Sequence, residues 1–404
     1  MDSKPRVIVF PFNLLAHYAR SLEVADALRD DFDFYFINSK AYHGLIQQYG
    51  FKIIEYQHQA VDEVLKKAVD FNFDWINSHS IETMFDAQFA IVKKYKPDLL
   101  MSDTMLTLPM VSEYANIPLL SLVNGYLTNY YDDIRPVPYT HKAWPYQFKM
   151  KKNVWLKIHG LAERTSMKFV HKPIARQRKK LGLKQKTWLL DEFSGDFNLI
   201  CDLPGLFPQK KLPGNYVQPG PVLVEPDKSC GLQLPWEPND KRPLIYLSLG
   251  SSGEAVPLDF LTSRLADQYR FVVSGKKKPP EAEHVHYQPF VCFSDIANQI
   301  SLFISHGGNG SIYQALSVPV PMLIIPAFFE QEWNAHRVTK TGIGQVLYPD
   351  ATPGDVMVAV EQAIRKQIPE ISRDLHREIQ PGYTKINIRQ AVLTWYEQIY
   401  AFTF

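Results

Sequence analysis

The residues with the clearest chemical content are His306, Gly307, Gly308, Asn309, Gly310 and Ser311, which follow the apolar run LFIS and open the stretch SIYQAL. Glycines at such a turn admit positive φ and let backbone N–H groups approach a bulky anion. A helix start adds free donors and a positive dipole end, so the pattern can bind phosphate. A plain Asn or Ser cap after a tight turn would use the same residue types. The second candidate is a pair. His17 ends the loop after the run RVIVF, and Asp103 ends LLMSD. A neutral histidine can take a proton from a hydroxyl, while a carboxylate behind the ring fixes its tautomer. Taken singly, His17 reads as a capping or part-buried histidine and Asp103 as a turn residue.

These residues need strands and helices to hold them. RVIVF is β-rich, and Leu22, Ala25 and Leu28 follow at helical spacing. Strand candidates continue with DFYFI, KPDLLMSD, IPLLSLV and NLICD. After a tract rich in Pro and Gly they resume with PLIYLSL, RFVVS, LFIS, VPMLII and QVLY. Helical stretches lie between them, which predicts α/β architecture with parallel sheets covered on both faces. The expected organisation is an N-terminal unit over 1–216 with a helical excursion at 129–184, a linker at 217–240, a second unit over 241–375, and a helical segment over 376–404. Ligands of such sheets lie in the crevice outside the C-terminal strand ends.

Composition narrows the field. The 404 residues carry 44 Lys+Arg against 42 Asp+Glu, a formal charge of +2, so nothing in the overall charge asks for nucleic acid. Cys201, Cys230 and Cys292 are far apart and read as reduced thiols. The first apolar run is too short for a signal peptide, and no run approaches the ~18 residues of a membrane span, which predicts a cytoplasmic protein. Asp30–Asp31 and Asp132–Asp133 read as solvated turns rather than metal ligands. KMKKNVWLKI mixes lysines with apolar residues and reads as a solvated helix face, with peripheral membrane contact as the alternative.

The ordered set of HGGNGS, helix, apolar strand, Pro326, Glu330–Gln331 and Asn334–Ala335 resembles the donor-binding signature of GT-B-fold glycosyltransferases of family 1, which use UDP- or TDP-sugars. The resemblance implies two Rossmann-like parallel-sheet domains facing a central cleft. It implies diphosphate contacts by His306, Gly308, Gly310, Ser311 and Ser251, the last in the loop that begins at Gly250. Phe290 and Val291 would meet the base, and Gln314 the ribose. Glu330, Gln331 and Asn334 would meet the donor sugar. His17 and Asp103 would be the catalytic pair, and Asn124, Gly125 and Tyr126 would line the acceptor site.

The implied reaction is inverting, metal-independent transfer of a hexose, glucose first, from a UDP-sugar to a hydroxyl of a hydrophobic small molecule or lipid, with no cofactor. A TDP-sugar donor and a non-catalytic nucleotide-sugar-binding protein are the alternatives. Four residues depart from the pattern. Ala16 replaces a glycine, Gln314 a glutamate, Glu330 an aspartate, and Pro319 a glycine. A neutral Gln314 accepts a ribose hydrogen bond less strongly than a carboxylate. An epimerase would need cleft carboxylates in place of the His17–Asp103 pair. A dehydrogenase would need a glycine fingerprint that PFNLLAH lacks. The aromatic residues Tyr126, Tyr130, Tyr131, Trp144, Tyr146 and Phe148 offer flat surfaces, either to an acceptor or to interdomain packing.

Overall fold

The computed structural model describes residues 4–223, 231–250, 256–366, 370–379 and 381–401. The apolar runs become strands because both faces of each sheet are covered. Leu99–Asp103, Leu119–Val123 and Leu244–Ser248 are buried at every position, as fits parallel central strands.

The first sheet contains β1 (Arg6–Pro11), β2 (Asp33–Ile37), β3 (Lys52–Ile54), β4 (Leu99–Asp103), β5 (Leu119–Val123), β6 (Phe197–Ile200) and β7 (Tyr216–Val217). Its order is β3-β2-β1-β4-β5-β6-β7, and every pairing is parallel. The second contains β8 (Leu244–Ser248), β9 (Arg270–Ser274), β10 (Val285–Gln288), β11 (Ile300–Ser305), β12 (Met322–Ile324) and β13 (Gly344–Val346). Its order is β10-β9-β8-β11-β12-β13, again parallel throughout. Strands β3, β7 and β10 were not anticipated. They are two to four residues long and mostly half-buried, so their apolar pattern is too brief to read.

In both sheets the strand order reverses beside the first strand. β1 lies next to β4, and β8 next to β11. A crevice opens at such a switch point because the two connections leave in opposite directions. Pro11 is in register with Asp103, and Ser248 with Ser305. The two chemical motifs of the sequence therefore start at the two switch points.

The excursion after β5 folds mainly into the helices Tyr146–Lys149 and Lys152–Lys180. The helix Pro381–Ala401 packs back on the first sheet's layer, where Trp395 stacks on Phe197 at 5.1 Å and Ile388 and Val392 enter the core. Lys385 pairs with Glu23 at 2.6 Å and Arg389 with Asp31 at 2.8 Å. No helix among the described residues is long and apolar enough to cross a membrane.

Two expectations are corrected. Asp133 is not a solvated turn residue. Its side chain is 5% exposed and holds Lys340 at 2.7 Å together with Arg337, both from beyond β12. Sequence could not show this, because the partners lie about 200 residues away. The reading of all three cysteines as reduced thiols fails at Cys292, which is disulfide-bonded; Cys201 is a free buried thiol, and Cys230 lies outside the described residues.

Candidate active site

His17 and Arg20 sit one helical turn apart on Leu15–Ala27, the helix that leaves β1, and both are buried. Asp103 ends β4 across the switch point and has no solvent exposure. The His17 Nδ1 and Asp103 Oδ1 atoms are 2.7 Å apart. With Nδ1–H donating to the carboxylate, the free lone pair is on Nε2, an atom able to accept a proton. Thr104 takes positive φ, unusual for a β-branched residue, and its hydroxyl donates to Asp103 Oδ1 at 3.0 Å. A strained backbone at this strand end is thus tied to the carboxylate it follows.

Arg20 was not singled out in the sequence. Its Nε donates to Asp103 Oδ2 at 2.8 Å and its Nη2 to Oδ1 at 2.5 Å, a two-pronged grip, while Nη1 donates to Asn124 Oδ1. Burial by itself would raise the Asp103 pKa. The Arg20 charge, with the hydrogen bonds from His17 and Arg20, outweighs it and holds the carboxyl well below the usual range. Its only sequence signal was an arginine on the apolar face of a helix three residues after His17.

Asn124, Gly125 and Tyr126 follow β5 beside this pair. Asn124 Nδ2 donates to the Tyr126 hydroxyl at 2.5 Å and to Glu330 Oε1 at 3.3 Å. The Tyr126 hydroxyl itself donates to Glu330. A Cβ at Gly125 would stand 2.7 Å from the Phe207 Cβ, so only glycine fits. Its N–H donates to Asp202 Oδ2 at 2.6 Å. Asp202, also missed in the sequence, accepts from Tyr313 at 2.7 Å and from Asn309 at 2.9 Å. Burial raises its pKa, with these donors opposing the rise. Tyr126 is fully buried against Phe207 and Trp333, so its ring belongs to interdomain packing. Tyr131 is buried too, whereas Tyr146 and Phe148 are exposed.

The glycine turn follows β11. His306 is buried, and Cβ atoms at Gly250 or Gly308 would each come within 2.6 Å of its ring. Gly250 and Gly307 also hold positive φ. Two glycines thus make a slot one imidazole thick, and burial there lowers the His306 pKa to about 4. The helix Asn309–Ser317 starts immediately after. Gly310 faces open space, and Ser311 beside it is buried.

The remaining candidates divide. Gln331 and Asn334 lie on the helix Phe329–Lys340 and are buried. Gln331 Oε1 accepts from the Ala327 N–H at 2.7 Å in the loop after β12, and Asn334 Nδ2 donates to the Gly307 carbonyl at 2.9 Å and so braces the glycine turn from behind. Glu330, next to Gln331 on the same helix, instead reaches Tyr126 and Asn124 in the segment after β5. Gln314 is half-buried one turn into the helix. Phe290 is exposed, while the Val291 side chain enters the second sheet's core. Ser251 lies outside the described residues.

Residues 276–379 match the family described as erythromycin biosynthesis protein CIII-like, C-terminal domain. The chain is 26% identical over 320 residues to a PGL/p-HBAD biosynthesis glycosyltransferase of Mycobacterium tuberculosis (strain ATCC 25177 / H37Ra), spanning 75% of this chain and 71% of that one. Among solved structures, the calicheamicin glycosyltransferase CalG4 shares the fold with a TM-score of 0.71 at 16% identity, over 98% of this chain and 100% of that one. The glycosyltransferase VinC in complex with DTDP shares it with a TM-score of 0.60 at 18% identity, over 96% and 98%.

Proposed function

We propose, from the premise that this chain is a GT-B-fold glycosyltransferase of family 1, that it moves a hexose from a pyrimidine nucleoside diphosphate donor to a hydroxyl of a hydrophobic acceptor, with inversion at C1. The acceptor hydroxyl gives its proton to His17 Nε2 as its oxygen attacks the sugar C1. The bond between C1 and the diphosphate oxygen breaks, and the diphosphate leaves with that electron pair. Asp103 steadies the imidazolium that forms. The start of the helix Asn309–Ser317, with the Ser311 hydroxyl, stabilises the charge gathering on the diphosphate. His306 is neutral and can serve there as a hydrogen-bond donor.

One observation carries this reading. An unbroken chain of hydrogen bonds runs from His17 through Asp103, Arg20 and Asn124 to Glu330 beside the glycine turn. His17 and Glu330, from the two halves of the chain, therefore sit in one network, which supports a shared site. The test is His17→Ala, with transfer measured in single turnover and nucleotide affinity by calorimetry. Transfer should be lost while affinity stays within about twofold, since a base acts in the transition state. Equal loss of both would remove His17 from the chemistry.

UDP is the first donor to try, as a UDP-hexose. A second reading, a TDP-sugar, is favoured by the neutral Gln314 at the ribose position and by the DTDP held in VinC. Parallel titrations with UDP and TDP separate the two.

A further inference from the structure

The helix Lys152–Lys180 is 29 residues long and presents an unusual outer face. Its inner face buries Trp155, His159, His171, Ile174 and Gln177. On the opposite side Val154, Ile158, Leu161 and Phe169 are 49%, 46%, 69% and 68% exposed. Their spacing of four, three and eight residues aligns them on a single stripe. A surface helix ordinarily shows polar residues there. An apolar row of this length in water indicates a surface that something covers. Phe148, 68% exposed, continues it just before the helix begins.

The charge around the stripe identifies what covers it. Residues 149–180 hold eleven Lys and Arg against one acid, Glu163. Glu163 is taken by Arg135. Lys151, Lys152, Lys157, Lys168 and Lys172 are exposed, and none pairs with an acid among the described residues. Lys157 and Lys168 flank the apolar row, and Lys172 lies over the Phe169 ring at 4.6 Å. A second copy of this chain would set these cations against their own images. An anionic bilayer surface satisfies both parts, taking apolar side chains into the acyl boundary and pairing lysines with headgroup charge.

We propose that this face docks the protein on an anionic lipid surface. The docked helix also lies next to the acceptor side of the cleft. Glu163 pairs with Arg135 at 2.7 Å, and Arg135 donates to the Tyr126 carbonyl in the segment after β5. A bilayer seated here stands beside the segment after β5 that the proposed acceptor site uses. The docking itself does not depend on the transfer chemistry proposed above.

The experiment is flotation of the full chain with vesicles of phosphatidylcholine alone or mixed with phosphatidylglycerol, at low and high salt. Expected is binding to the mixed vesicles only, weakened by salt. The triple variant Lys151→Glu, Lys152→Glu, Lys157→Glu should lower partitioning on the order of 100-fold or more, at roughly fivefold per cation removed. The pair Leu161→Ser, Phe169→Ser should lower it at least about tenfold. Calorimetric UDP and TDP binding should be unchanged in both, which separates a failed docking face from a failed donor site. Absence of binding to the mixed vesicles, equal binding to both vesicle types, or binding indifferent to both variants would overturn the proposal. So would concentration-dependent dimerisation abolished by Leu161→Ser in a protein that ignores vesicles, since the face would then belong to a second copy. If a variant misfolds, the vesicle and salt series on the unaltered protein decides alone.

Discussion

Acidification should weaken the fold through His306, and the size of the effect follows from its slot. The ring is buried between Gly250 and Gly308, and its pKa in the folded chain is about 4. In the unfolded chain it returns to about 6.5. As pH falls below 6.5 the unfolded chain binds a proton that the folded chain refuses, so stability drops until about pH 4. The full loss is about 2.5 pH units at ~1.4 kcal/mol each, roughly 3.5 kcal/mol, of which about 2 kcal/mol appears between pH 7.5 and 5.0. Urea unfolding at those two pH values, for the parent and His306→Gln, measures it. Other histidines contribute to both proteins, so the difference in pH slope isolates His306. The variant should lose about 2 kcal/mol less than the parent over this interval. Identical slopes would refute the claim that this imidazole is held neutral by burial.

Three further outcomes are expected. Asp103→Asn should cut kcat by about 10³–10⁴ through loss of the carboxylate behind His17, and should also destabilise the fold by about 3–5 kcal/mol because Arg20 is left buried without a counter-charge. Adding Arg20→Met should recover stability but not kcat, as thermal melts and single-turnover rates would show. Glu332 is pushed up to about 7 by burial, against the Tyr139 N–H that donates to it at 2.7 Å, so its ionisation costs the folded state above pH 4.5. Glu332→Gln should therefore raise stability at pH 8 by up to roughly 3 kcal/mol, with the gain fading by pH 5 in chemical denaturation. Gly308→Ala drives a methyl to within 2.6 Å of His306 and should disrupt the turn, whereas Gly310→Ala meets nothing within 4 Å. The second variant should keep the parent's melting temperature while weakening nucleotide binding measured by calorimetry, because its methyl fills the space the phosphates need.

Much of the molecule was legible from the chain alone, and for local reasons. β2 and β9 fall where their apolar runs were read, and most of the longer strands differ by a residue or two. Short runs rich in β-branched and aromatic residues and bounded by turn formers carry their strand signal within the run itself. The glycines of the turn were visible in the sequence as room for a bulky anion, whereas only the structure showed that Gly250 and Gly308 make room for the His306 ring. Asp103 was visible as a strand-end residue and His17 as the end of the loop after the first strand, although the helix already begins at Leu15.

Only the tertiary structure could show what holds them. Arg20 grips Asp103 across 83 residues, Asp202 reaches Asn309 across 107, and Asp133 meets Arg337 across 204. Each looked like an ordinary charge on a helix, strand end or turn. A carboxylate's role depends on which donors surround it and how much water remains, and neither is encoded within a few residues of its own position. The reversal of strand order carries the same lesson. Strand identity is local, but which strands are neighbours, and hence where the two crevices open, is decided when the sheets assemble.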